Sequence, residues 1–289
     1  MSPMACAVCL RRTVLSSPAL ERAQPWLGTR VSIRVASPDA VKAAAAIAHA
    51  FAAIAHIHSR MSAQSPRSDL AAIARLAPGE TATLDPETAA CLAEALALAD
   101  ASRGVFDPVL PEAGGADWRD LVLQGGQVRV RRRLRIDLSG IAKGYAVDRA
   151  CTLLQEAGLA SALVNAGGDL RCFGPAEIVA LRPYAPAPPA AIEIENGALA
   201  SSDVAGSLAE YGAACHRHGR TARPMPPGFV SVVAPRCVDA DGLTKLVLAE
   251  SEAAIPLLQS RAAIAYLHRP DGDWRVIGAA TPAAGAPCG

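Results

Sequence analysis

The segment Asp137-Leu-Ser-Gly-Ile-Ala-Lys-Gly-Tyr-Ala-Val-Asp148, with Asn165-Ala-Gly-Gly-Asp169 close behind it, limits the fold of this chain more than any other. Ile136-Asp137-Leu138-Ser139-Gly140 leads out of an extended stretch into a helix. That helix ends near Gly158, a residue suited to the positive φ of a C-terminal cap. Ser161 to Asn165 reads as a strand, closed by the turn Ala166-Gly167-Gly168-Asp169.

Around this centre the periodicity predicts further elements. Val31-Ser32-Ile33-Arg34-Val35 alternates as a half-buried strand. Ser37-Pro38-Asp39 opens a long helix to about Met61, with Ile47, Phe51, Ile54 and Met61 on one face. A short helix starts at Asp69, and Asp85-Pro86-Glu87 starts another that runs to about Asp100, Asp as N-cap and Pro in the first turn. Two strands lie around 120–137, parted by Gly125-Gly126, and Phe229 to Ala234 is another. Asp241 is expected to cap a helix to about Glu252, and strands at 262–267 and 274–277 close the fold. The Pro/Ala-rich stretch 183–191 is read as a loop, and residues 1–24 as a leader without clear structure. Strands and helices mix without a βαβ rhythm, so the fold class is α+β.

Composition removes some functions. With 28 basic against 27 acidic residues, the chain lacks the basic excess of a nucleic-acid binder. The dense Arg129–Arg135 run alternates with Val and Leu, as on the solvated face of a strand. Cys6 and Cys9 form a C-x-x-C with no second pair to complete a zinc set. The other cysteines sit singly among apolar residues, which favours reduced thiols and a cytoplasmic setting. The apolar run Met4–Leu10 has Arg11 and Arg12 after it, the wrong order for a signal peptide. His49, His56 and His58 break the Ala-rich run, so no membrane insertion is expected.

Only three of the 28 basic residues are lysines, Lys42, Lys143 and Lys245. A Lys kept among so many Arg points to a need for a compact ammonium, although random usage gives the same count. Lys143 is placed in the first turn of a helix, where a cation is unfavourable unless it meets an anion; an ordinary strand–turn–helix with an exposed Lys reads the segment equally well. Lys245, in Asp239-Ala-Asp-Gly-Leu-Thr-Lys245, is read the same way. Two such helix starts suggest one shared polyanion such as a pyrophosphate, and Asp241 beside it would suit Mg²⁺. Gly167-Gly168 allows close backbone approach to a ligand, though a tight turn explains the same pair. Phe106, one of four Phe, either covers a planar ring or fills the core. His216 and His218 form an H-x-H without a third ligand and read as polar surface.

Together these segments resemble the ApbE family, the FAD:protein FMN transferases. The similarity runs from about Trp26 to Gly278. It is carried by Leu27-Gly-Thr-Arg30, Met61-Ser62 with Pro66 and Ser68-Asp69, Phe106-Asp-Pro108, the long segment 137–148, Asn165-Ala-Gly-Gly-Asp169 and Asp241-Gly-Leu-Thr-Lys245. The resemblance implies an ApbE-like (T-fold-like) α+β domain over 25–280, followed by a tail at 281–289, with mixed sheets, packed helices and a flavin cleft. It implies FAD as substrate and Mg²⁺ near its pyrophosphate. FMN then passes to a Thr or Ser of an acceptor flavoprotein, such as a membrane redox subunit, and AMP leaves. A non-catalytic flavin-binding protein of the same fold is the alternative.

Carried over by position, Leu27, Gln64, Val105, Phe106, Asp107, Asp137, Lys143, Asn165, Gly167, Gly168 and Asp169 are expected to line the cofactor. The Gly140 carbonyl, Asp241 and Thr244 are expected to hold the metal. Asp241, Lys245 and Lys143 are the expected catalytic residues, the two ammoniums steadying the pyrophosphate. The chain also departs from the family pattern. Gln64 stands where relatives often carry Tyr, and Lys245 where a hydroxyl ligand is usual. His216-Arg-His-Gly-Arg-Thr221 lacks the Asp-Pro of the family's His-x-x-Asp-Pro-x-Thr-Gly. An ammonium at Lys245 either takes over part of the metal's role or repels the metal.

Overall fold

The structure, a computed structural model, describes residues 9–11, 19–111, 115–211, 216–270 and 272–278. Strand β1 (Cys9–Arg11) precedes the hairpin of β2 (Ala19–Trp26) and β3 (Thr29–Ala36). Helices α1 (Ala40–Met61) and α2 (Asp69–Arg75), strand β4 (Thr81–Thr83) and helix α3 (Pro86–Ala101) come next. The hairpin β5 (Leu121–Gln124) and β6 (Gln127–Val130) leads to α4 (Ala142–Glu156). Strands β7 (Ser161–Ala166), β8 (Asp169–Phe173), β9 (Glu177–Leu181), β10 (Ala190–Ile194) and β11 (Ala198–Asp203) follow. The chain continues through α5 (Val204–Tyr211), β12 (Phe229–Ala234), α6 (Cys237–Ala249), α7 (Ile255–Ser260), β13 (Ile264–His268) and β14 (Arg275–Ile277).

An eight-stranded sheet in the order β14-β13-β12-β11-β8-β7-β3-β2 organises the molecule, every pairing in it antiparallel. Its two faces bury different partners, because side chains alternate along a strand. One face carries Val31, Ile33, Val164, Ala198 and Ala200 into a core shared with α1, α4 and α6. The other carries Leu163, Leu170, Cys172, Leu199 and Phe229 against Val179, Leu181, Ile192 and Ile194 of a second sheet, β1-β9-β10. A third small sheet, β4-β6-β5, buries Val128 and Val130 in the main core.

Helix α1 starts as its sequence demands: the Asp39 carboxylate accepts the Lys42 amide at 2.9 Å. Ile47, Phe51, Ile54 and Met61 are buried, and each such side chain contributes about 1.5–3 kcal/mol by leaving water. Among the described residues α1 is the one helix long and apolar enough to cross a membrane, despite its histidines. Here its apolar face packs on α4 and the β2–β3 hairpin.

Several expectations need correction. The leader does not run to residue 24, since Ala19–Trp26 pairs with Thr29–Ala36 along its whole length. Its side chains are mostly exposed, so the stretch shows no clear hydrophobic period. Residues 183–191 overlap β10, which starts at Ala190. Strands β8, β9 and β11 and helices α5 and α7 were not legible as separate elements. Strand β6 ends at Val130, so most of the Arg129–Arg135 run is loop rather than strand face. Asp241 is not an N-cap: α6 begins four residues earlier, at Cys237, and places Asp241 and Lys245 inside it. The amides of Cys237 and Val238 at its start are accepted by Asp148 of α4, at 2.9 and 2.8 Å. A cap supplied by another helix leaves no local signal. Cys6 and the tail 281–289 lie outside the described residues, as does the side chain of Cys9; Cys91, Cys151, Cys172 and Cys237 are free and buried.

Candidate active site

Two hairpin turns form one border of the site. Leu27 and Gly28 have φ of 56° and 73°, and Gly167 and Gly168 have 63° and 104°. Positive φ at both central residues matches the twist of two-residue β-hairpins. Leu27 takes a conformation that costs a branched side chain energy, and packs its side chain on the core. Because β3 lies beside β7, the two turns are neighbours. A Cβ on Gly167 would fall 2.4 Å from Thr29 Oγ1, so only glycine fits there. Asn165 stabilises its own turn, its Oδ1 accepting the Gly168 amide at 2.9 Å.

Asp169, fully buried, follows directly and forms an ion pair with Lys143 Nζ. Its other oxygen accepts the Ser201 amide at 3.3 Å. Burial opposes the charge of Lys143, but Asp169 and Asp241 hold its pKa above the usual lysine value. Lys143 does lie in the first turn of α4, which starts without a side-chain cap.

The residues after Lys143 fix α4 to α6 and α3. Gly144 sits where α4 crosses α6: a Cβ there would be 2.4 Å from the Cys237 carbonyl oxygen and 2.8 Å from Asp241 Cβ. Tyr145 donates to Glu87 at 2.7 Å, and Arg149 donates to the same carboxylate at 2.9 Å. Asp148 caps α6 and pairs with Arg171 at 2.8 Å.

On α6, one carboxylate oxygen of Asp241 accepts the Gly144 amide at 3.1 Å, and the other meets Lys245 Nζ at 2.5 Å. Lys245 Nζ also donates to the Asp241 backbone carbonyl at 3.1 Å. Burial opposes the Asp241 charge, yet Lys245, Lys143 and the Gly144 amide hold its pKa below the usual carboxylate value. Two lysines and two aspartates thus form one charge-balanced cluster, its carboxylates buried and its lysine side chains partly exposed. The Lys245 stem passes Gly140, whose missing Cβ would lie 3.5 Å from Lys245 Cε and 3.3 Å from a Phe106 ring carbon.

Phe106 is buried, and the Asp107 carboxylate accepts the Val109 amide at 2.8 Å. Burial raises the Asp107 pKa to about 6 despite that bond. Asp137 turns toward its own loop, accepting from the Ser139 amide and hydroxyl at 2.8 and 2.9 Å. Gln64 is exposed and meets only Ser62, at 3.3 Å, so the described contacts do not join it to the cluster.

The structure corrects the expectation that His216 is polar surface. Its Nδ1 is buried with no partner among the described residues. Burial, with Lys245 and Lys143 nearby, lowers its pKa to about 4. The loop carrying it is tied to the Phe106 segment by the Gly219 amide, 2.9 Å from the Val105 carbonyl. Nothing in H-x-H spacing signals this, since the lysines whose charge acts on it come from α4 and α6. His218 instead pairs with Glu250 at 2.9 Å.

The donors do not fit the expected Mg²⁺. Both Asp241 oxygens are engaged, one by an ammonium. Thr244 is fully buried; its hydroxyl donates to the Asp241 carbonyl at 2.6 Å and contacts Ser202 at 2.8 Å. Among the described residues no three of His, Cys, Asp and Glu gather as a metal site. Mg²⁺ takes near-octahedral oxygen ligands, and to reach Asp241 and Thr244 it would have to displace the Lys245 ammonium and the bonds the Thr244 hydroxyl makes.

The sequence profile of the ApbE family matches residues 27–113 and 111–267. A stretch of 190 residues is 28% identical to an FAD:protein FMN transferase of Rhodobacter capsulatus, covering 56% of this chain and 36% of that protein. A stretch of 185 residues is 29% identical to an FAD:protein FMN transferase of Treponema pallidum, covering 53% of this chain and 51% of that protein. The chain therefore spans between about a third and a half of the length of these relatives. The crystal structure of a Pseudomonas stutzeri flavinyl transferase ApbE, apo form, superposes with a TM-score of 0.78 at 17% identity, over 93% of this chain and 100% of that one. At that identity the likeness shows a shared α+β fold.

Proposed function

Because this chain belongs to the ApbE family, we propose that it is an FAD:protein FMN transferase, joining FMN to a Thr or Ser hydroxyl of an acceptor protein. The observation that carries this reading is the Lys143–Asp169 and Lys245–Asp241 cluster, built where α4 and α6 cross and beside the Gly167-Gly168 turn. The Lys143 ammonium in the first turn of an uncapped helix, with the Lys245 ammonium of α6 close to the same carboxylates, suits a pyrophosphate, which bears negative charge on both phosphorus centres.

The acceptor hydroxyl oxygen attacks the FMN phosphorus, forming the new P–O bond. The P–O bond to the bridging oxygen breaks, and AMP leaves with that oxygen. Lys143 and Lys245 neutralise the charge that gathers on the phosphate oxygens as this happens. The aspartates hold both ammoniums in place, so little reorganisation is needed during the reaction. His216, kept neutral by burial and by the two lysines, accepts the hydroxyl proton at Nδ1. Phe106 and Leu27, both packed on the main core, are the apolar side chains the flavin ring would lie against.

Incubating the protein with FAD and a domain bearing an acceptor Thr, with and without MgCl₂, tests the reading. AMP release together with an FMN-sized mass gain on the acceptor supports it. Asp241→Asn is expected to remove both products while the protein stays folded. Tight FAD binding with neither product in the unmodified protein would replace the transferase with a flavin carrier.

A further inference from the structure

Resting on that reading of the site, we infer that the Lys245 ammonium is the resident cation of this centre, so that FAD is bound without a divalent metal ion. Lys245 lies one helical turn after Asp241, and its Nζ sits 2.5 Å from the carboxylate and 3.1 Å from the backbone carbonyl of that residue. A hard cation takes oxygen ligands of these same kinds. Its side chain is 14% exposed and runs beside Gly140, so the charge is held in place by a packed stem.

The remaining Asp241 oxygen is taken by the Gly144 amide, in a contact enforced by the α4–α6 crossing. A divalent ion would have to displace an ammonium from a cluster whose two positive and two negative charges already balance. The residue type agrees. Guanidinium is a broad planar fork, whereas an ammonium is a compact charge of roughly the kind a small cation provides. Of the three lysines in this Arg-rich chain, two occupy this cluster, and the third, Lys42, donates to the Gly158 carbonyl at 3.4 Å.

FAD binding by full-length protein, followed by flavin fluorescence in EDTA and then in millimolar MgCl₂, tests the inference. The expected dissociation constants agree within about twofold, and MgCl₂ alone leaves the melting temperature unchanged. In Lys245→Thr, FAD binding in EDTA is expected to weaken at least tenfold and to recover on adding MgCl₂, as the divalent ion enters the vacated place. Binding by the unmodified protein that is tenfold tighter with MgCl₂ overturns the inference, as does a folded protein that binds FAD in neither condition. If Lys245→Thr does not fold, the two conditions on the unmodified protein decide. Metal-independent FAD binding without AMP release upholds the resident cation while removing the transferase reading, so the two fail separately.

Discussion

The Gly144 amide donates to Asp241 at 3.1 Å because no side chain separates the two helices: a Cβ on Gly144 would stand 2.8 Å from Asp241 Cβ. The position of the Asp241 carboxylate therefore depends on an absent methyl group on another helix.

Gly144→Ala is expected to push α4 from α6, since the new Cβ would also meet the Cys237 carbonyl oxygen at 2.4 Å. Overpacking against backbone costs about 1–3 kcal/mol. Urea unfolding reads the loss, and an unchanged midpoint would show that the crossing relaxes freely.

Asp148→Ala should cost about 2–4 kcal/mol, because it uncaps α6 and leaves Arg171 without its carboxylate. Asp148→Asn retains an acceptor and should lose less. If thermal unfolding ranks the two variants in the opposite order, the capping role is wrong.

Lys143→Met leaves the Asp169 charge buried and alone, a change worth about 3–5 kcal/mol. The double variant Lys143→Met/Asp169→Leu should be less unstable than the two single effects added. Additivity in that double-mutant cycle would mean that the ion pair contributes nothing.

Asp107 carries a pKa raised to about 6 by burial, above its unfolded value. The native state thus holds its proton more tightly, and stability falls as pH rises from about 4 to 6. Asp107→Asn should be more stable than the parent by about 1–2 kcal/mol at pH 7, allowing for partial solvent screening, and equal to it below pH 4. Denaturation midpoints across that range check the sign.

His216, with its pKa lowered to about 4, stays neutral through the physiological range. Transfer should fall as pH drops below about 5, and His216→Ala should slow it by roughly 10²–10⁴ with FAD affinity nearly kept. A variant that loses affinity but not turnover would make His216 a binding residue. Protonation of His216 is disfavoured in the fold, so its contribution to stability is present above the unfolded pKa and declines as pH falls toward 4.

Much of the fold was legible. Helix α1 with its Asp39 cap, α3 with Asp85-Pro86, and β3, β7 and β12 all declare themselves through local caps and period. The exposed strand β2 and the start of α6 did not, because one owes its structure to pairing and the other to Asp148 on a different helix. In the site, the sequence alone singled out Lys143, Asp169, Asp241 and Lys245, by rare residue type and motif. It could not pair them, nor could it place His216 beside them or show that Lys245 fills the ligand sphere of Asp241. Short-range order follows from propensities read along the chain. Which charges meet is decided by how α4 and α6 cross on the sheet, and that crossing is set by packing between residues far apart in sequence.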